Sequence, residues 1–376
     1  MPATIASLPA ELLLDIFTIA YTDTGHTRWS LTAVSQHFRT LCIGSGVDIE
    51  TVALHGVDKM KTFLVVLEQR EKRARRVKYL FLTDRVGIED ANAGRNRWVA
   101  STTPETCANS PVFLADQILR SILDHDLRIL TVHLPHYRLA MPTSPSVFST
   151  PFPSLTDLTL HAALDCCFFD AFCACPSLKR LHIAAYNQLP EDFGGSIKSI
   201  APNLTHLKLS AVRSLSTSGS LIDVLRAYAS GVDTIQNATI NAKDNRPVNS
   251  IAKGNNDAIP IDPELPSSVH TLIVGFATFF QPSVGGRSGR QQINYLRTAQ
   301  TLRQLAGSGN HKLLVSDDGI ASAGGRRLVV CPPPAIRSQD DIEEDTRECY
   351  VRLRTEWEER VAGEEAGWDV VHHSVP

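Results

Sequence analysis

A six-residue pattern, apolar-x-x-apolar-x-apolar, returns seven times between residues 49 and 274. It reads Ile49-x-x-Val52-x-Leu54, then Val77-x-x-Leu80-x-Leu82 and Leu127-x-x-Leu130-x-Val132. Leu155-x-x-Leu158-x-Leu160, Leu178-x-x-Leu181-x-Ile183 and Leu204-x-x-Leu207-x-Leu209 follow, and Val269-x-x-Leu272-x-Val274 comes after a gap. The last two apolar positions of each copy are two residues apart, the period of a strand that buries one face. One copy cannot bury its own strand. Stacked copies form a continuous parallel sheet over a shared core.

The three clearest copies share a lead-in, Pro153-Ser154-Leu155, Pro176-Ser177-Leu178 and Pro202-Asn203-Leu204, and their anchors lie 23 and then 26 residues apart. That spacing is the one used by leucine-rich repeats. It is too short for the regular strand–helix–strand units, of about 30 residues or more, that build a doubly wound sheet. No Gly-rich phosphate loop follows any of these strands. The expected fold class is therefore α/β: a repeat solenoid with a parallel sheet over residues 47–335. Residues 84–112 and 241–268 read as long insertions. The basic Gly/Ser loop at 283–290 lacks the ending of a phosphate-binding loop. A helix over about 290–306 and late strands at His311–Val315 and Arg326–Val330 complete this region.

Residues 1–46 have a different texture. Pro9 fits the first turn of a helix, because it has no N–H to leave unpaired. Glu11 complements the helix dipole in that turn. Leu12, Leu13, Ile16, Phe17 and Ala20 recur at helical spacing. After a polar loop at 21–29, Ser30 can cap a second helix carrying Leu31, Val34, Phe38 and Leu41. Gly44 and Gly46 end it. This hairpin must bury its stripe in the residues that follow it or in a partner.

Leu-Pro-x-Glu-Leu-Leu-x-x-Ile-Phe, followed by Leu-x-x-Val-Ser-x-x-Phe-Arg-x-Leu, resembles an F-box. The matching residues are Leu8, Pro9, Glu11, Leu12, Leu13, Ile16 and Phe17, then Leu31, Val34, Ser35, Phe38, Arg39 and Leu41. The whole chain is similar to fungal F-box proteins with an irregular leucine-rich C-terminal part. The family usually has Trp where Phe38 stands, and the loop at 21–29 is longer and more polar than in a compact F-box. The resemblance implies a non-catalytic, substrate-recruiting subunit of a Skp–cullin–F-box ubiquitin ligase. Leu8, Pro9, Leu12, Leu13, Ile16, Phe17, Val34 and Phe38 would contact the Skp adaptor or support that contact, and cullin would be reached through it. The other reading is a repeat scaffold for protein interactions, in which the hairpin only caps the first strands.

Pro332-Pro333-Pro334 marks a stiff break. Residues 336–376 hold an acidic helix over about 340–361, with Tyr350, Leu353, Trp357 and Val361 on one face. That face is expected to cover the last repeat, as the end of an open stack requires. In the strands, the polar positions point away from the core and form a row: Asp157, Thr159, His161; Arg180, His182, Ala184; His206, Lys208, Ser210. Asp157, Arg180, His182, His206 and Lys208 are the candidate substrate-binding residues for an unknown protein substrate, and Arg180, His182, His206 and Lys208 favour an acidic patch.

The remaining composition argues mainly by exclusion. A net charge of −3 gives no field for nucleic acid or an anionic membrane. No apolar run reaches the roughly 18–20 residues of a membrane span. The N-terminus has no basic region ahead of its apolar stretch, so no secretory signal is expected. Eight cysteines without a framework spacing then fit reduced thiols in the cytoplasm or nucleus. Cys166, Cys167, Cys173 and Cys175 have soft donors that could hold zinc. Cys173 and Cys175 also stand where a repeat wants a small buried residue. The basic run 72–78 lacks aromatic interleaving and reads as a solvated helix end. No arrangement of titratable residues suggests catalysis, and no cofactor or metal is expected.

Overall fold

The structure is a computed structural model. It describes residues 5, 8–20, 30, 33–84, 110–122, 125–138, 150–164, 169, 172–186, 189–190, 192–212, 219–230, 265–276, 280–281, 327–331, 337–338 and 342–363, and single helical positions between 293 and 304. His311–Val315, Cys166, Cys167 and the loop at 283–290 lie outside the described residues.

Each repeat becomes one strand of a single sheet. The strands are β1 (Thr51–His55), β2 (Tyr79–Thr83), β3 (Ile129–Arg138), β4 (Asp157–Leu164), β5 (Arg180–Tyr186), β6 (His206–Val212) and β7 (Thr271–Phe276). A short pair follows, β8 (Phe280–Gln281) with β10 (Arg337–Ser338), and β9 (Arg327–Val330) joins the main sheet. The eight strands of the main sheet are all parallel, in the order β1-β2-β3-β4-β5-β6-β7-β9. The order never reverses, unlike that of a doubly wound sheet.

The same turn starts successive strands. Leu155, Leu178, Leu204 and Val269 donate their N–H to the carbonyls of Phe152, Cys175, Ala201 and Pro266, at 3.0–3.2 Å. In the first three, Pro153, Pro176 and Pro202 hold the second turn position, where a fixed φ is an advantage. The carbonyl just before each strand then accepts two N–H groups from the next one. Arg128 takes Thr156 and Asp157, Thr156 takes Lys179 and Arg180, and Lys179 takes Thr205 and His206.

The core lies on one face of the sheet. Leu54, Leu82, Val132, Leu160, Ile183, Leu209 and Val274 point into it. The return segments cover it with α3 (Val57–Glu68), α4 (Pro111–Ser121), α5 (Phe193–Ile200) and α6 (Gly219–Ser230). Met60, Ile118, Ile197 and Leu225 are among the helix residues buried there. The helix α4 is not among the elements expected from sequence, and its first two residues fall at the end of the 84–112 insertion. Its signal is Ser110-Pro111 at the helix start, followed by Val112, Leu114, Ala115, Ile118 and Leu119, all buried. The basic run is tied down: Lys78 pairs with Glu50, and Arg76 lies 3.1 Å from Asp126.

The N-terminal hairpin consists of α1 (Ala10–Ala20) and α2 (Gln36–Ser45). The cap of α2 is Ser35 rather than Ser30; its hydroxyl accepts the Phe38 N–H at 3.1 Å, and residues 33–34 before it are already helical. Leu13, Phe17, Phe38, Cys42 and Val47 form a small core separate from that of the sheet. Phe17 and Phe38 meet edge to face at 5.1 Å.

Gly46 ends α2 with φ +76° and lies against the start of the sheet domain, where a Cβ would meet the Ala74 carbonyl oxygen at 2.5 Å. Gly46→Ala is expected to lose at least about 1–2 kcal/mol from the left-handed backbone alone, and more from the clash. Urea unfolding measures the loss, and the hairpin should become more protease-sensitive than the repeats.

Candidate functional site: a helix across the outer face of the sheet

Because the strands are in step, the side chains opposite the core fall into three rows. Row one is Thr51, Tyr79, Ile129, Asp157, Arg180, His206 and Thr271. Row two is Ala53, Phe81, Thr131, Thr159, His182, Lys208 and Ile273. Row three is His55, Thr83, His133, His161, Ala184 and Ser210. The first strands contribute the large apolar groups Tyr79, Phe81 and Ile129, β4–β6 contribute polar and charged groups, and β7 and β9 turn Ile273 and Val329 outward as a small apolar cluster.

The C-terminal helix α7 (Ile342–Val361) lies on this face. The stripe expected from sequence is the one that packs, but its place differs from the expectation. Tyr350 and Trp357 join Phe81 and Ile129 of β2 and β3, with Ala53, Tyr79 and Val361 packed against them. The helix thus covers the early strands rather than capping the last repeat. Apolar partners explain this. Phe81, Tyr79 and Ile129 are the large apolar groups that the early strands turn outward, and α7 needs such a surface for its aromatic residues. Phe81 meets Trp357 at 5.7 Å and Tyr350 at 6.1 Å, both edge to face. The Arg354 guanidinium lies 5.2 Å from the Trp357 ring and 5.6 Å from that of Phe81.

Both flanks of α7 are polar and both are engaged. On one side the Tyr350 hydroxyl is 2.9 Å from His55 Nδ1, and Arg354 Nη1 is 2.7 Å from His55 Nε2. On the other side Lys208 Nζ donates to Glu356 Oε1 at 3.1 Å. Arg360 donates to Glu356 Oε2 at 3.2 Å and to Thr159 Oγ1 at 3.1 Å. His182 Nδ1 lies 4.0 Å from Glu356 Oε2, and its Nε2 meets the Ser210 hydroxyl. The acidic helix and the cationic row, two separate features in the sequence, are partners in one chain.

The structure divides the predicted substrate-binding set. Asp157, His182 and Lys208 are buried. Arg180 is half-buried and holds Asp157 with two hydrogen bonds. His206 is half-buried and meets the His270 ring at 4.5 Å. The row is thus an internal contact in this conformation, not an open surface. The cysteines separate in the same way. Cys175 sits in the core at the turn position, where burial pushes its thiol up to about 11. Cys349, on α7, is also raised by burial and sits 3.4 Å from His161 Nδ1.

The predicted adaptor-binding set divides as well. Leu13, Phe17 and Phe38 are inside the hairpin core. Leu8, Pro9, Leu12, Ile16 and Val34 are exposed, with Leu12 at 50%, Ile16 at 43% and Val34 at 65%. Ile19, not named from sequence, continues the α1 face at 74% exposure. No family model, curated protein or solved structure matches the chain. Among the described residues no helix is long and apolar enough to cross a membrane.

Two predictions follow from the α7 contact. Glu356→Gln removes the carboxylate that Lys208 and Arg360 share, and breaking a buried ion pair in this way costs about 3–5 kcal/mol. Urea unfolding should show that loss, while Asp223→Asn, in an exposed pair with Arg226, should cost no more than about 1 kcal/mol.

His182 is held well below its ordinary 6.5, first by burial and then by the charges of Lys208, Arg360 and Arg352. Below that pH the unfolded chain takes up a proton here and the folded chain does not. Stability therefore falls with decreasing pH, by up to about 1.4 kcal/mol per pH unit for one proton. Above it the histidine is neutral in both states and adds no slope. Unfolding midpoints taken from about pH 7.5 down to about pH 5 should fall less steeply in His182→Gln than in the parent chain.

Proposed function

We propose that the chain is a non-catalytic, substrate-recruiting subunit of a Skp–cullin–F-box ubiquitin ligase. Its N-terminal hairpin is the F-box that docks the Skp adaptor, and its sheet domain is a leucine-rich-repeat solenoid that binds a protein substrate. The observation carrying this reading is the apolar face of α1. Leu8, Leu12, Ile16 and Ile19 recur along it and are exposed, although the hairpin already has a core in Leu13, Phe17 and Phe38. Exposed contiguous apolar surface of this kind marks an interface. Full burial of a leucine or isoleucine side chain contributes about 1.5–3 kcal/mol, so a few such residues suffice to anchor a partner. The strictly sequential parallel sheet supports the solenoid part of the reading. A substrate segment bearing acidic groups would meet Lys208 and His182 only where Glu356 now lies, so α7 stands in the substrate's place.

The second reading, a protein-interaction scaffold without a ligase role, draws on the seating of the hairpin. Gly46 lies directly against Ala74, in the segment that leads into β2, and on this reading the hairpin would close the first end of the sheet domain.

Leu12→Asp combined with Ile16→Asp separates the two. Both residues are exposed, and such surface changes stay within about 0.5 kcal/mol, so circular dichroism and the unfolding midpoint should match the parent chain. Co-purification of Skp adaptor and cullin from cells is expected to be lost. Equal recovery of both with the double variant would overturn the ligase reading.

A further inference from the structure

Row three carries His133 on β3 and His161 on β4, side by side in the parallel register. Neighbouring strands are about 4.8 Å apart, so their same-face side chains are held close by the backbone. The two rings meet at 4.8 Å with an interplanar angle of 70°. Above them α7 places Cys349, whose Sγ is 3.4 Å from His161 Nδ1. One donor atom from each of the three residues falls within a set spanning no more than 4.8 Å. The three come from positions 133, 161 and 349, and two of them belong to the rigid centre of the sheet.

We propose that His133, His161 and Cys349 form a metal site for zinc(II), and that the bound ion fastens α7 to the sheet. Two imidazoles and a thiolate are a soft donor set, suited to zinc and unsuited to magnesium or calcium. Zinc bonds of about 2.0–2.1 Å to nitrogen and 2.3 Å to sulfur place tetrahedral donors roughly 3.3–3.6 Å apart. The His161–Cys349 pair already has that spacing. The donor on His133 lies within 4.8 Å of the other two, and small side-chain adjustments bring it to that spacing.

The surroundings fit a ligating histidine. Thr83 Oγ1 lies 3.1 Å from His133 Nδ1, across one strand in the same row. A hydrogen bond at one ring nitrogen orients the ring and assigns ligation to the other, as in most metal-bound histidines. Ligation by His133 therefore falls to Nε2, and by His161 to Nδ1. Cys349 is placed by its neighbour Tyr350, which is anchored on Phe81 and His55. Three protein ligands leave the fourth position to water. On binding, the Cys349 thiol loses its proton to solvent and the thiolate takes the ion. No oxidation is involved.

The test uses the full chain, reduced and stripped with a chelator, then titrated with cobalt(II) as a spectroscopic stand-in for zinc. The parent chain is expected to bind one equivalent, with tetrahedral ligand-field bands and a thiolate-to-cobalt charge-transfer band that zinc abolishes by displacement. Cys349→Ser should remove the charge-transfer band, and His161→Gln should weaken binding at least tenfold. Thr83→Val keeps all three ligands and should weaken it by about 10–100-fold. Variants at Cys166, Cys167, Cys173 and Cys331 should keep the band. Zinc should slow hydrogen exchange across 342–361 in the parent chain and not in Cys349→Ser. A parent chain with no charge-transfer band, or a band that persists in Cys349→Ser, overturns the site. If Cys349→Ser does not fold, as judged by circular dichroism, the other two variants decide. Unaltered cobalt affinity in both His161→Gln and Thr83→Val overturns it equally.

Discussion

The strands of the main sheet are in step across its whole width, and the arrangement of the molecule follows from that. A side chain at one position of a strand lies beside its counterpart on the next, from Ala53 through Phe81, Thr131 and Thr159 to His182 and Lys208. The inner rows are aliphatic and fuse into one core. Over β2–β6 the outer rows grade from apolar on the early strands to charged on β4–β6, and β7 and β9 end them on Ile273 and Val329. A single helix can satisfy such a graded face only if its own surface is graded in the same sense. In α7, Trp357 and Tyr350 serve the apolar end while Glu356 and Arg360 serve the charged end.

The two parts of that contact do different physical work. The aromatic cluster removes apolar area from water, which is non-directional and tolerates small shifts. The group formed by Lys208, Glu356, Arg360 and Thr159 contributes little net energy against its desolvation, but it penalises every placement that separates its members. The first holds the helix down and the second sets its register. Away from the sheet, α7 would carry many charges and few apolar groups, and most of the stability of a helix in a protein comes from tertiary packing of its apolar stripe. Its helical state is therefore tied to its docking.

Much of the sheet was legible because its signal is local and repeated. The strand pattern and its Pro-led turn occur within a few residues, so the sequence alone places seven strands near their observed positions. The stripe of α7 was legible for the same reason. Its destination was not, since chain order suggested the last repeat and packing chose Phe81 and Ile129, contributed by residues more than 200 positions earlier. The trio of His133, His161 and Cys349 has no sequence spacing to notice, because register and docking create it. Ser35 shows a smaller version of the same limit. The sequence reading puts the cap at Ser30, and in the structure it is Ser35 that accepts the Phe38 N–H three residues on.

The N-terminal hairpin differs from α7 in one respect that bears on what it is for. In α1 the apolar residues occupy two faces, Leu13 and Phe17 on one, Leu12, Ile16 and Ile19 on the other. A helix that is apolar on both sides is normally covered on both sides. Here α2 and Val47 cover the first face, and among the described residues nothing covers the second. Stability of the hairpin accounts for Leu13 and Phe17 but gives no reason for isoleucines at 16 and 19, where charged residues would serve a free surface better. The sheet domain meets the same problem on its outer face and solves it with its own C-terminal helix. Among the described residues no segment of the chain lies over that face of the hairpin, and it is the face that the proposed adaptor would cover.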